Sequence, residues 1–304
     1  MDVSCAVRQK TIATPVRCAG VALHSGARVK MALHPAGVDH GIRFRRSDKN
    51  VVVAANWRNL TSGMLCSTIG QDGVTVATIE HLMAAFAGLE VDNVLVTLDG
   101  AEVPVMDGSA APFVALIERA GLVEQEAPRR AIEILKPIQV SGDGATASLE
   151  PADEFSLNFV IEFASSAIRR QRIVLVPDPV TFKRDICGAR TFGFLEEVER
   201  MRAAGLARGG SLDNAVVISG DQILNAEGLR FGDEFVRHKA LDAMGDLYLA
   251  GGPIIGRFRG RRSGHALNRL LLERLFADPT AWCHATLPAQ PDATLWREPA
   301  RATA

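Results

Sequence analysis

The chain has 304 residues, 47% of them hydrophobic and 23% charged, with a formal net charge of −1. That is the profile of a globular protein of about two domains, and the near-neutral balance speaks against general nucleic-acid binding. Five scattered cysteines (Cys5, Cys18, Cys66, Cys187, Cys283) form no C-x-x-C pair, which argues against a thiolate zinc site or a disulfide framework and fits a reducing cytoplasm.

The first ten residues carry no apolar stretch of the kind a signal peptide needs. No apolar run anywhere approaches the ~18 residues of a membrane span, so any membrane contact is expected to be peripheral. Residues 28–33 and 41–46 alternate polar and apolar side chains and read as half-buried strands. Residues 78–88 read as a helix, with Thr78 as N-cap and Gly88 as its stop. Asp99-Gly100 between apolar runs 93–98 and 101–105 predicts a hairpin, and 110–120 a second helix. The charged stretch 124–130 reads as a linker, dividing an N-terminal domain, 1–126, from a C-terminal one, 127–296, with 297–304 as a disordered tail. Strands are expected at 131–135, 147–150 and 156–163, and helices at 182–187, 195–204, 235–249 and 267–276. Strands followed by helices in each half imply an α+β protein of two similar domains, each with helices packed on a sheet, although no repeat is visible in the residues themselves.

The densest chemistry lies in His238-Lys-Ala-Leu-Asp242-Ala-Met-Gly-Asp246. Residues four apart share a helix face, so an imidazole and two carboxylates stand in one row among apolar neighbours. Burying such a row is costly unless the groups pair or bind a cation. A His and an Asp on adjacent turns suit one zinc ion with room for a third ligand and a water; a buried His–Asp pair without metal is the alternative. Glu80-His81 opens the first helix, where one residue could ligate and the other reach a metal-bound water; a capping-region Glu beside a partly buried His is the plainer reading. His265, after Gly264 at a helix start, suits a proton donor or oxyanion stabiliser, or else a capping residue. Thr191 could hydrogen-bond an oxyanion beside Phe192 and Phe194, or simply pack in a loop. The Gly-rich segment 205–211 lacks phosphate-loop spacing and reads as a mobile loop. Cys66 is a weak candidate metal contact, and His24, His34, His40 and His284 have no partner pattern.

Six segments together resemble one family. They are Gly20-Val-Ala-Leu-His-Ser-Gly26, Thr78-Ile-Glu-His-Leu82, Val105-Met-Asp-Gly-Ser-Ala-Ala-Pro-Phe113, Ala189-Arg-Thr-Phe-Gly-Phe194, Phe235-Val-Arg-His-Lys-Ala-Leu-Asp-Ala-Met-Gly-Asp246 and Ser263-Gly-His-Ala-Leu-Asn268. In order and content they resemble the zinc-dependent UDP-3-O-acyl-N-acetylglucosamine deacetylases of lipid A synthesis, from about residue 7 to about 276. The resemblance implies an active site between the two domains and one catalytic Zn2+ held by His81, His238 and Asp242. It further implies Glu80 as general base, His265 as general acid oriented by Asp246, and Thr191 at the oxyanion. Lys239, Phe192 and Phe194 would contact the acylated UDP-sugar, and Leu212 and Val217 would line its acyl passage. A cytoplasmic monomer at the inner face of the inner membrane is the matching expectation. A zinc peptidase is the nearest rival, but the H-E-x-x-H arrangement is absent. A non-catalytic sugar-nucleotide binder with a structural zinc would need a fourth protein ligand, and only three good ones are evident.

Overall fold

A computed structural model describes residues 6–61 and 65–288; the tail predicted at 297–304 lies outside them. Two five-stranded sheets of the same topology organise the chain. In the first, Val16–Val21 and Arg28–Pro35 form an antiparallel hairpin. Val94–Leu98 lies antiparallel to Arg28–Pro35 and parallel to Ile42–Arg46, which pairs antiparallel with Val51–Ala54. In the second, Ile138–Gly142 and Ala145–Glu150 form the hairpin, and Arg257–Arg261 lies antiparallel to Ala145–Glu150. Arg257–Arg261 runs parallel to Ser156–Glu162, which pairs antiparallel with Arg170–Leu175. In each sheet the last strand in chain order is inserted at the centre. Alternating burial along Ile42–Arg46 turns Ile42 and Phe44 inward and leaves Arg43 and Arg45 in water, while Arg46 at its end is buried and paired with Asp48.

The helices follow the same order. Helix α1 (Glu80–Gly88) precedes the central strand of the first sheet and α2 (Ala111–Ala120) follows it. A single turn, α3 (Pro179–Thr181), runs into a π-helical turn at Phe182–Ile186, and α4 (Leu195–Ala203) follows. Helix α5 (Glu234–Tyr248) then precedes the central strand of the second sheet and α6 (His265–Ala277) follows it. Helix α2 packs on the first sheet, α5 and α6 on the second, and α1 against α5. One apolar core runs through both halves, from Phe44, Phe86 and Phe113 to Phe159, Phe235 and Phe258. No helix among the described residues is long and apolar enough to cross a membrane.

Helices α1 and α5 approach closely because α5 carries Gly245, where a Cβ would sit 2.0 Å from the Glu80 carbonyl oxygen. Gly88 ends α1 as predicted, but close packing explains it better than a left-handed turn: a Cβ there would lie 2.2 Å from the Phe182 ring.

Several local expectations are overturned. Thr78 does not cap α1. It has φ 56°, strained for a β-branched residue, and its hydroxyl donates to Glu102 Oε1 at 3.1 Å. The strand Val94–Leu98 does not turn back on 101–105, because both its edges are already paired within the first sheet. Segment 124–130 is no loose linker. Leu122–Pro128 is a strand antiparallel to Arg8–Ile12, and buried Arg129 pairs with Asp92 (2.8 Å) and Glu90 (3.1 Å). The Gly-rich segment 205–211 is docked rather than loose, with Arg208 and Gly209 N–H groups donating to the carbonyls of His24 and Leu23.

Candidate metal and proton-transfer site

The first turn of α1 meets the inner face of α5. His81 Nε2 lies 3.5 Å from Asp242 Oδ1, and His238 Nε2 lies 3.4 Å from the same oxygen. The two imidazoles stand almost perpendicular, at 80°, with centroids 5.0 Å apart. All three ligand-type atoms fall within 4.8 Å of one another, and all three residues are buried. The i, i+4 spacing of His238 and Asp242 gives one side of the cluster, and the short α1–α5 approach gives the other.

Protonation is suited to a cation. His238 Nδ1 faces the Ala189 carbonyl at 3.1 Å, so it carries the proton and leaves the Nε2 lone pair toward Asp242. Burial pushes His238 down to about 4, which keeps it neutral. Burial opposes ionisation of Asp242, but the charged Lys239 and His265 beside it outweigh that and hold the carboxyl well below its ordinary range. Asp242 Oδ1 is nevertheless buried without a hydrogen-bond partner. A buried acceptor left in this state costs ~1–3 kcal/mol, and a divalent cation between the two imidazoles would satisfy it. Two neutral nitrogens and one carboxylate oxygen are a three-ligand set with a position to spare.

Glu80 and His265 sit on the rim. Glu80 Oε1 is 4.0 Å from His265 Nε2, and that nitrogen is 3.8 Å from Asp242 Oδ2. Adjacent residues Glu80 and His81, both in the first turn of α1, reach the same cluster, His81 at Asp242 and Glu80 at His265. Burial pushes Glu80 up to about 7 despite nearby His265. His265 opens α6, and its Nδ1 lies 2.8 Å from Asp246 Oδ2. Burial disfavours its charged form, but Asp246, Asp242 and Glu80 together raise it to about 10. The pair therefore holds a carboxyl poised near neutrality opposite a protonated imidazole.

Lys239 Nζ donates to Asp242 Oδ2 at 2.7 Å, which places it beside the cluster. Phe192 packs edge-on against His238 (6.1 Å) and Phe235 (4.9 Å), and Phe163 lies between Phe192 and Phe194. Thr191 is fixed through its backbone, its N–H donating to Gly108 and its carbonyl accepting from Val216. Val217 is buried on Val216–Ser219, opposite Gly193 in a parallel pairing. Leu212 is 44% exposed in the preceding loop, which Asn225 Nδ2 pins at the Leu212 and Ala215 carbonyls. Cys66 is buried, 3.6 Å from Thr68 Oγ1. A separate cleft of about 510 Å³, lined by Trp57, Arg130, Tyr248 and Trp282, lies beyond the C-terminal end of α5 and contains none of the predicted site residues.

Four residues that sequence reasoning gave no role hold this arrangement. Ser67 and Asn268 both donate to Asp246. Fully buried Glu234 accepts from Arg190 Nε at 2.9 Å, tying the Thr191 loop to the start of α5. An acidic residue in a helix's first turn was the one available sign for Glu234; Ser67 and Asn268 carry none.

Comparison with known proteins gives a consistent answer. The family model for UDP-3-O-acyl N-acetylglycosamine deacetylase matches residues 9–277. A relative named UDP-3-O-acyl-N-acetylglucosamine deacetylase from Phenylobacterium zucineum (strain HLK1) is 51% identical over 278 residues, covering 90% of this chain and 95% of that protein. Relatives of the same name from Nitrosococcus oceani and Stenotrophomonas maltophilia (strain K279a) are 49% and 45% identical, over 91% and 97% of this chain and 92% and 100% of their own lengths. With nearly the whole chain matched and the His–Asp cluster formed at the meeting of its two halves, the chain belongs to the UDP-3-O-acyl N-acetylglycosamine deacetylase family.

Proposed function

We propose that the chain is a zinc-dependent deacetylase. It would hydrolyse the 2-N-acetyl group of UDP-3-O-(3-hydroxyacyl)-N-acetylglucosamine to acetate and the free 2-amine, a step of lipid A synthesis in the cytoplasm. The supporting observation is the convergence of His81, His238 and Asp242 on one point with Glu80 and His265 at its rim, in a chain of this family.

His81, His238 and Asp242 would hold the zinc, which when bound would supply Lewis acidity, lowering the pKa of a water toward ~7 and polarising an amide carbonyl. Glu80 takes the proton of the attacking water as general base. The Thr191 hydroxyl donates to the oxyanion that develops on the former carbonyl oxygen. His265 Nε2 gives its proton to the departing 2-amino nitrogen, and Asp246 stabilises the imidazolium before transfer. Lys239, Phe192 and Phe194 contact the sugar nucleotide, and Leu212 and Val217 the acyl chain. The active site lies between a domain of residues 1–126 and one of 127–296.

Mass spectrometry of the reaction with UDP-3-O-acyl-N-acetylglucosamine, with and without chelator, is the test. Loss of one acetyl group without chelator only is expected, restored by added zinc. An unchanged substrate mass in the zinc-loaded protein would remove this reading.

A further inference from the structure

The geometry points to Ser67 as a positioning residue that locks the proton donor to the proton acceptor; this rests on the roles proposed for His265 and Glu80. Ser67 is buried, 5% exposed, on the segment leading into Ile69–Gln71. Its hydroxyl donates to Asp246 Oδ1, a partner 179 residues away. Its backbone N–H donates to Glu80 Oε2 at 3.0 Å, and its carbonyl accepts from Ile79 at 3.3 Å. One residue of the first half thus grips the carboxylate that orients His265 in the second half and the carboxylate of Glu80 in its own.

The remaining bonds of Asp246 show what the hydroxyl adds. Asp246 Oδ2 receives His265 Nδ1 and Asn268 Nδ2, both at 2.8 Å and both from α6. Those two bonds orient the carboxylate relative to α6 only. The hydroxyl of Ser67 is the bond on the other oxygen, and it is the one that ties Asp246 across to the first half. Without it, Asp246 and His265 keep each other and the α1–α5 packing at Gly245 still holds the two helices together, but the Asp246 carboxylate loses its side-chain tie to the first half. The distance from Glu80 Oε1 to His265 Nε2, 4.0 Å, is then no longer set from both sides. The Ser67 hydroxyl meets Asp246 Oδ1 and comes within 3.5 Å of His265 Nδ1, and among the described residues it makes no hydrogen bond to His81, His238 or Asp242, so its removal is expected to act on proton transfer rather than on metal binding.

The experiment compares kcat, KM and bound zinc for the wild type, Ser67→Ala, Ser67→Thr, His265→Ala and the double variant Ser67→Ala/His265→Ala. Loss of a hydrogen bond to a charged partner predicts a roughly 10-fold fall in kcat for Ser67→Ala, with KM within about twofold and zinc content unchanged. Ser67→Thr keeps the donor and recovers kcat to within about threefold. In the His265→Ala background Ser67→Ala costs nothing further, because the group it positions is gone. A packing role predicts the same loss in both backgrounds, and that result overturns the proposal, as does an unchanged kcat for Ser67→Ala beside an active wild type. If Ser67→Ala does not fold, Ser67→Cys, a weaker donor of similar size, replaces it in both backgrounds with the same criteria. An inactive wild type would instead count against the deacetylase reading, so the two failures are distinct.

Discussion

Replacing Gly245 by alanine should damage the site without touching any of its polar groups. The new Cβ would lie 2.0 Å from the Glu80 carbonyl oxygen, 2.9 Å from its carbon and 3.0 Å from the Ala84 nitrogen. All three are backbone atoms of α1, so no side chain can swing aside. Restoring ordinary contact at about 3.4 Å requires α1 and α5 to separate by about 1.4 Å, the difference between 3.4 and 2.0. Alanine gains ~1 kcal/mol of helix propensity over glycine. Overpacking costs typically ~1–3 kcal/mol, and a backbone clash belongs at the upper end, so a net loss of about 2 kcal/mol is expected. At ~2–4 °C per kcal/mol that lowers the melting temperature by about 4–8 °C. The larger effect is on chemistry. Glu80 and His81 ride on α1, His238 and Asp242 on α5, and a displacement of ~1 Å costs on the order of 10²-fold in rate. Thermal denaturation, zinc content and acetate release measure the three consequences. Wild-type turnover with full zinc content in Gly245→Ala would show that the helix spacing does not set the site.

Glu80→Gln keeps shape and zinc but removes the base, so kcat should fall by roughly 10²–10⁴; metal analysis beside turnover checks both halves of that statement. Asp242→Ala removes the carboxylate shared by both imidazoles, and zinc retained through dialysis should drop well below one per chain. The pH–rate profile should be bell-shaped. Glu80 works when ionised, so rate falls as pH drops through its value of about 7; His265 works when protonated, so rate falls as pH rises through about 10. Those values describe the metal-free protein. A bound dication favours the ionised carboxylate and disfavours the imidazolium, so both limbs should shift to lower pH in the loaded enzyme. A flat profile from pH 5 to pH 10 would refute the assignment of acid and base.

The reactive groups were legible where their signal is local. His238, Asp242 and Asp246 stand at helical spacing, and α5 presents them on one buried face as that spacing requires. Glu80 and His81 were legible as a pair at a helix start, although their meeting with α5 depends on Gly245, whose role appears only when two helices are in contact. Long-range partnership hid the rest. The hydroxyl of Thr78 suits a cap, but Glu102, 24 residues on, takes it. Asp99-Gly100 is a genuine turn signal, yet Val94–Leu98 sits at the centre of a sheet with no free edge for 101–105. The polarity of 124–130 conceals a strand: Glu124 and Glu126 stay exposed on it, and buried Arg129 just after it is neutralised by Asp92 and Glu90 rather than by water. The duplicated topology leaves no trace in the residues, since a sheet fixes only which positions are apolar, and many side chains satisfy that.

His81 belongs to one half of the molecule, and His238 and Asp242 to the other. Any ion that joins them is therefore a staple as well as a reagent. Its binding free energy opposes the parting of the two halves and grows with the free ion concentration as RT ln(1 + [L]/Kd). The cohesion of this protein is thus expected to rise and fall with the metal supply around it.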